Sequence, residues 1–461
     1  LVVAGGALGT ALIPVFQQYR QQHREADANA LVSSVINLML PALLAVSVIA
    51  WIWAEPLVAY TTARGFTPAQ QHLTAELMRW LLIQPIVLGI GGIFKAVLEA
   101  HEQFSIPTIG SNLYNIGIIA GAAIFSQWFG IHGIIYGVLI GAVAFTIVQL
   151  PRLRQVGLTY VRSAGVHTAG LREVWQLLIP RLFGQSVWQI NIASMIGIVS
   201  TFGMGAVAAS GYAMQLMLLP HGLVGLSIGT VIFPRLASLF AAGDERAFAT
   251  NASRALQTVL AVTLPVSIAM WYAAPLIVLV LFQRGSFDQQ SAILTIAAMQ
   301  GYMVGLAGFC IAEIAVRIWF ARKNTRIPVI IGTFVVLLNI SAGWALTQSG
   351  STESRLHTVA LVFSTANMIE AVLLVGLLWY TNRTILPFTT LWTWRSGIGG
   401  MVVLLQLEQF LPALSMASIH SIGDIGRVAM HLGIVAVSTV WGIGWCSQGF
   451  GFVRQRTSTH S

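Results

Sequence analysis

Thirteen stretches of this chain stay apolar for about twenty residues or more. They lie near 1–19, 30–54, 76–98, 105–127, 130–150, 174–202, 205–234, 252–283, 292–320, 328–347, 357–381, 396–415 and 426–446. About 20 helical residues cross the hydrocarbon core of a bilayer. Inside that core every backbone N–H and C=O must be paired within the protein, so only helices or closed barrels survive there. The segments are too long for barrel strands and lack their period-two alternation. The expected fold class is therefore an all-α polytopic membrane protein. Composition agrees, with 56% hydrophobic and only 8% charged residues, where a soluble domain carries about 25% charged.

The chain also repeats itself. Gly9-Thr10 followed by Pro14 recurs 220 residues later as Gly229-Thr230 followed by Pro234. Ala100 with Ile106-Pro107 recurs 221 residues later as Ala321 with Ile327-Pro328. Six apolar segments separate the two Gly-Thr signatures, an even number that returns the chain to the same side of the membrane. Two parallel six-helix repeats related by an axis along the membrane normal are expected, an arrangement common in transporters. The segment at 174–202 precedes the second signature, and its counterpart in the first half would begin before Leu1. Fourteen spans are thus expected, thirteen of them visible. The divisions are an N-lobe at 1–150 lacking its first helix, a linker at 151–173, a C-lobe at 174–381, and two extra C-terminal helices with a tail at 382–461.

A net charge of +9 raises the question of nucleic acid, but the basic residues punctuate apolar segments rather than clustering with aromatics, so no nucleic-acid partner is expected. Placing the loop after the first segment in the cytoplasm puts sixteen of the twenty-four Lys and Arg residues on that side, as the positive-inside rule requires. Both ends of a full-length protein are then cytoplasmic. Leu1 already opens an apolar segment with no charged region ahead of it, so no signal peptide is read. Cys310 and Cys446 form no ligand spacing, and the ten histidines include no HExxH. No nucleophile elbow or phosphate loop appears. Neither an enzyme nor a cofactor is expected.

Ionisable residues inside spans are functional candidates, because a charge at the bilayer centre costs at least about 2.5–3.5 kcal/mol. Glu313 and Arg317 lie four apart, on one helix face, and can pair. Lys95 and Glu99 show the same spacing in the first half. Arg181 follows Pro180, and Glu370 stands alone in a late span. Each has a plain alternative: snorkelling to the interface for Lys95/Glu99 and Arg181, a structural pair for Glu313/Arg317, and a tolerated carboxylate for Glu370. Among the prolines within spans, Pro14 and Pro234 stand out because both halves place them identically.

Several runs resemble one family. Tyr212-Ala213-Met214-Gln215-Leu216-Met217-Leu218-Leu219-Pro220-His221-Gly222, continuing through Gly225, Gly229-Thr230 and Pro234-Arg235-Leu236, resembles the eighth-helix signature of the MurJ (MviN) flippases. Arg317-Ile318-Trp319-Phe320-Ala321-Arg322 with Thr325-Arg326-Ile327-Pro328, and Leu98-Glu99-Ala100-His101 with Phe104 and Pro107, resemble further motifs of that family. Gly6-Ala7-Leu8 through Pro14 and Gln189-Ile190-Asn191 are similar to its second and seventh helices. Where many members carry Asp-Arg, this sequence has Met214-Gln215, and Met195 stands at a position often acidic.

The resemblance implies a bacterial cytoplasmic-membrane flippase with two lobes that rock around a cavity. Its cargo would be an undecaprenyl-pyrophosphate-linked peptidoglycan precursor, its surroundings membrane lipids, and its protein partners those of cell-wall synthesis. Arg181 and Arg317 are the candidate cations, Gln215, Glu313 and Glu370 further substrate-facing candidates, and Gly9, Pro14, Gly229 and Pro234 candidate hinge or packing positions. Export of another lipid-linked oligosaccharide or a drug, and a non-transporting cell-wall scaffold, stay open as alternatives.

Overall fold

The computed structural model describes residues 8–162, 165 and 168–381, with the side chains of Thr10, Pro180, Arg181 and Phe183 outside that description. The expected spans at 396–415 and 426–446 also lie outside it. The described residues are helical throughout, with no strand among them. In chain order the helices are α1 (Leu8–Gln21), α2 (Glu25–Ile52), α3 (Ala54–Tyr60), α4 (Pro68–Leu81), α5 (Ile83–Ala100), α6 (Ser105–Ala120), α7 (Ser126–Phe129), α8 (Ile131–Ile147) and α9 (Leu150–Gln155). They continue as α10 (Leu171–Val199), α11 (Ala206–Pro220), α12 (Ser227–Ala241), α13 (Glu245–Tyr272), α14 (Ala274–Phe282), α15 (Gln289–Ala321), α16 (Arg326–Leu346) and α17 (Thr352–Thr381). One wide π-turn at Gly121–Phe125 joins α6 to α7, and another at His221–Leu226 joins α11 to α12. Ten helical stretches among the described residues are long and apolar enough to span a membrane, and they fall on the second to eleventh of the expected segments.

The repeat is written into the helix ends. α2 and α13 begin at Glu25 and Glu245, 220 apart, while α6 and α16 begin at Ser105 and Arg326, 221 apart. The turns between match bond for bond. Arg24 N–H donates to Tyr19 C=O as Asp244 N–H does to Leu239 C=O, and Gln103 N–H to Leu98 C=O as Asn324 N–H to Trp319 C=O. These six-to-one bonds close Schellman turns, which satisfy helix carbonyls that otherwise lack partners. Each such turn needs a left-handed residue, supplied by His23, Gly243, Glu102 and Lys323. The starts of α4 and α15 match too: Thr67 accepts from Gln70 N–H in a full capping box, and Asp288 accepts from Ser291 N–H.

The chain separates into two compact units that meet at residues 197 and 198. In the first, Leu12 of α1, Leu31 of α2 and Val97 of α5 form a buried core, which Leu153 of α9 and Leu171, Val174 and Leu178 of α10 complete. The connecting residues 157–161 lie along one face of α2. Asn29 donates to Gly157 C=O and Thr159 Oγ1, Val161 N–H donates to Ser33 Oγ at 2.9 Å, and Tyr160 donates to Asn37. Residues 29, 33 and 37 recur every four positions, so they share that face.

In the second unit α15 is the axis, packed by α11, α12, α13, α14 and α17. Small residues decide that approach. Gly301, Gly305 and Gly308 of α15 lie against Ala360, Ser364 and Met368 of α17, with no room for a methyl group at any of the three. Lipid tails offer no hydrophobic gain from helix association, so close contact of this kind carries the packing. The first unit spends its glycines elsewhere: Gly117 and Gly121 meet Gly137 and Gly141 across α6 and α8. The repeat therefore preserves helix boundaries while changing which helices lock together.

Candidate functional site

Two links of backbone chemistry build the charged centre of the second unit. Pro220 ends α11, and the π-turn that follows widens the helix at His221–Leu226, a feature frequent at functional sites. The widened turn aims His221, Gly225 and Gly229 along one face toward α15. His221 is buried, its ring 4.3 Å from that of Phe309, its Nδ1 3.6 Å from Cys310 Sγ.

One turn further along α15, Arg317 Nε and Nη2 both donate to Glu313 Oε1, at 3.0 and 2.8 Å. The pair is neither sealed nor free, with 18% of the arginine and 31% of the glutamate side chain exposed. The guanidinium end of the side chain packs closely against Gly229 of α12: a methyl group there would sit 2.6 Å from Nε and 2.8 Å from Cδ and Cζ. Glu370, half-buried on α17, comes within electrostatic range of Glu313, and its Oε1 stands 3.6 Å from where a Gly332 side chain would begin. Among the described residues no basic group pairs with it. Glu313, Arg317, Gly229, Glu370 and His221 thus gather from α12, α15, α17 and the π-turn into one charged neighbourhood.

The remaining sequence candidates lie apart. Gln215 is exposed on α11, fourteen residues before Gly229 and so about 20 Å away along the helix axis. Arg181 falls on α10, and its side chain is outside the described residues. Gly9 and Gly229 are both buried, Pro14 and Pro234 both exposed within their helices. Lys95 and Glu99 approach to 3.8 Å, but they are not the counterpart of Glu313 and Arg317. Shifted by 221, those two fall on Gly92 and Ala96. Gly9 faces that alanine, whose Cβ would be 3.7 Å from a methyl group added there.

Two features were hard to read from sequence. His221 reads as an isolated histidine because its partners Phe309 and Cys310 are some 90 residues distant. The polar face of α2 did carry a signal, the four-residue spacing of Asn29, Ser33 and Asn37.

In the first unit, His101 caps the C-terminal end of α5. Its Nδ1 donates to Val97 C=O at 2.8 Å, its ring packs on Phe16, and Arg20 donates to the adjacent Ala100 C=O. Burial holds its pKa below the ordinary imidazole value; the Val97 bond opposes that, and Arg20 and Glu25 act in opposite directions. Its counterpart 221 residues on is Arg322, which lies 3.9 Å from Glu245 as His101 faces Glu25.

Ten membrane-length helices among the described residues and a duplicated set of helix boundaries define a class: a multi-pass α-helical membrane protein built from an internal repeat. Solved structures share this fold. One titled "Lipid II flippase MurJ, inward closed conformation" superposes with a TM-score of 0.76 at 21% identity, over 97% of this chain and 89% of that one. An inward-facing multidrug resistance MATE family transporter of the MOP superfamily gives 0.72 at 16% identity, over 83% and 87%. The family described as Lipid II flippase MurJ matches residues 1–430, and the chain belongs to that family. Among its relatives, a probable lipid II flippase MurJ from Buchnera aphidicola subsp. Acyrthosiphon pisum is 25% identical over 342 residues, 73% of this chain and 67% of the relative. The lipid II flippase MurJ of Burkholderia cenocepacia is 25% identical over 345 residues, 73% and 66%. The matched region thus spans about two thirds of these relatives' length.

Proposed function

We propose that this protein moves a lipid II-type peptidoglycan precursor, linked to undecaprenyl pyrophosphate, from the cytoplasmic to the outer leaflet by alternating access. Membership of the family carries the reading, and the partly exposed Arg317 side chain on a membrane-length helix gives it a chemical basis. A diphosphate needs charge-assisted donors, and the planar fork of an arginine suits it. Arg317 and Arg181 are the cations assigned to the diphosphate, with Glu313, Glu370 and Gln215 as polar neighbours. Gly9, Pro14, Gly229 and Pro234 serve as packing or hinge positions. The lobes are taken as 1–150 and 174–381, joined by 151–173 and followed by two helices in 382–461. The setting is the bacterial cytoplasmic membrane, with both ends of the full-length protein inside and proteins of cell-wall synthesis as neighbours.

The test is complementation. The full reading frame is expressed in cells depleted of their own lipid II flippase, membrane insertion is verified, and lipid II exposed at the outer leaflet is measured. Restored exposure that Arg317→Ala reduces at least tenfold is the expected result. Inserted protein with no exposure would refute the cargo, and full activity of Arg317→Ala would refute the role of that residue.

A further inference from the structure

Arg317 is neutralised by its own helix, which is an odd way to keep a cation meant for a ligand. The pair does not join two helices, since both members belong to α15, so it closes no joint in the fold. The repeat supplies an internal control. At the equivalent positions of the first unit stand Gly92 and Ala96, and α5 packs on α1 there without any pair. The guanidinium has a second contact besides Glu313, because Nε, Cδ and Cζ lie close against Gly229 of α12. Both donors converge on one oxygen, Oε1, while Oε2 has no partner among the described residues and the second guanidinium nitrogen, Nη1, stays uncommitted. The arrangement is easily exchanged: a carboxylate held through one oxygen, beside a partly exposed cation.

We propose that Glu313 is a positioning residue that acts as a built-in competitor for Arg317. It occupies the guanidinium in the empty protein, yields it to the diphosphate of the cargo, and takes it back so that the cargo can leave. This inference rests on the diphosphate-linked cargo of the proposed function and assigns to Glu313 the control of affinity at that site. The physical need is general. A carrier that grips its ligand equally well at every stage gains no turnover, and conduction requires binding weak enough to release. Glu370 lies within electrostatic range of Glu313, so the neighbourhood offers a displaced Glu313 carboxylate no second cation among the described residues, and Arg317 stays its partner once the cargo has left. No covalent step is involved; one anion replaces another on the same donors.

The experiment measures binding of farnesyl diphosphate to the full-length protein in detergent micelles, with farnesol as control, alongside the leaflet-exposure assay. Glu313→Gln, which removes the competing charge and keeps the shape, is expected to bind the diphosphate about tenfold tighter while lowering transport. Glu313→Asp keeps the charge on a shorter arm and is expected to tighten binding by a smaller factor; it serves as the second reading should the glutamine variant insert poorly. The charge-swapped Glu313→Arg/Arg317→Glu variant restores an intrahelical pair but moves the cation off its Gly229 platform, and it is expected to insert normally and not transport. Unchanged or weaker binding by both Glu313 variants, or full transport by the swapped protein, would overturn the inference while leaving the flippase reading intact. Wild-type protein that binds farnesyl diphosphate no better than farnesol would overturn the diphosphate reading, and this inference with it.

Discussion

Gly229 and Gly9 hold the same place in the two halves, yet alanine is expected to act on them differently. At Gly229 the added carbon would meet Arg317 at 2.6–2.8 Å, inside contact distance, whereas at Gly9 its nearest neighbour is Ala96 Cβ at 3.7 Å. The arginine is the flexible partner, so it swings away and loses its bonds of 3.0 and 2.8 Å to Glu313. A hydrogen bond to a charged group contributes about 1.5–3 kcal/mol net, and the partial exposure of this pair places it at the low end, about 1.5–2 kcal/mol. Alanine in place of glycine inside a helix returns about 0.8–1 kcal/mol. Gly229→Ala should therefore destabilise the protein by about 1 kcal/mol. With Arg317→Ala in the background there is nothing to displace, and the same substitution should stabilise by about 0.8–1 kcal/mol. The sign reverses, with a coupling of about 2 kcal/mol. Gly9→Ala, which displaces nothing, should stabilise by up to about 0.8–1 kcal/mol, and by the same amount in either background. The assay is reversible unfolding of the four variants in mixed micelles, followed by tryptophan fluorescence. An equal effect of Gly229→Ala in both backgrounds would refute the close packing of Arg317 on α12.

Two further outcomes follow from the first unit. Burial holds the His101 pKa below its ordinary 6.5, so above that value the residue is neutral in folded and unfolded chains alike and contributes no pH dependence. As pH falls through 6.5 the unfolded chain takes the proton first, and stability is lost down to the lowered folded value. The thermal midpoint of wild type should therefore drop more between pH 7.5 and 5.5 than that of His101→Gln, and parallel curves would contradict the assignment. Ser33→Ala removes the acceptor of Val161 N–H at a cost of about 1 kcal/mol. Hydrogen exchange at residues 159–162 should speed up accordingly, and unaltered exchange there would show that the segment is held by other means.

What the amino-acid sequence determined by itself is local or periodic. Apolar length alone marked the ten membrane-length helices now seen, because a bilayer sets one fixed thickness to cross. The duplication was legible from Gly9/Pro14 against Gly229/Pro234, and the helix ends repeat at the same spacing. The Glu313–Arg317 pair was legible too, since four residues is one helical turn. Three of the four Schellman turns were not, for they place His23, Glu102 and Lys323 where glycine is the usual mark. Lys95 and Glu99 share the four-residue spacing of the second-half pair, but the 221-residue offset of the repeat, already legible in the sequence, gives that place to Gly92 and Ala96.

The tertiary structure decided everything that depends on which helix lies beside which. The fit of Arg317 on Gly229, the approach of Glu370 to Glu313, the tilted ring contact of His221 with Phe309 and the lie of residues 157–161 along α2 all join positions far apart in the chain. In water, hydrophobic patterning would have announced such partners by giving each helix a face to hide. In a membrane both faces of a helix meet apolar surroundings, so hydropathy is silent about neighbours and the choice falls to small residues, close contact and a few polar groups.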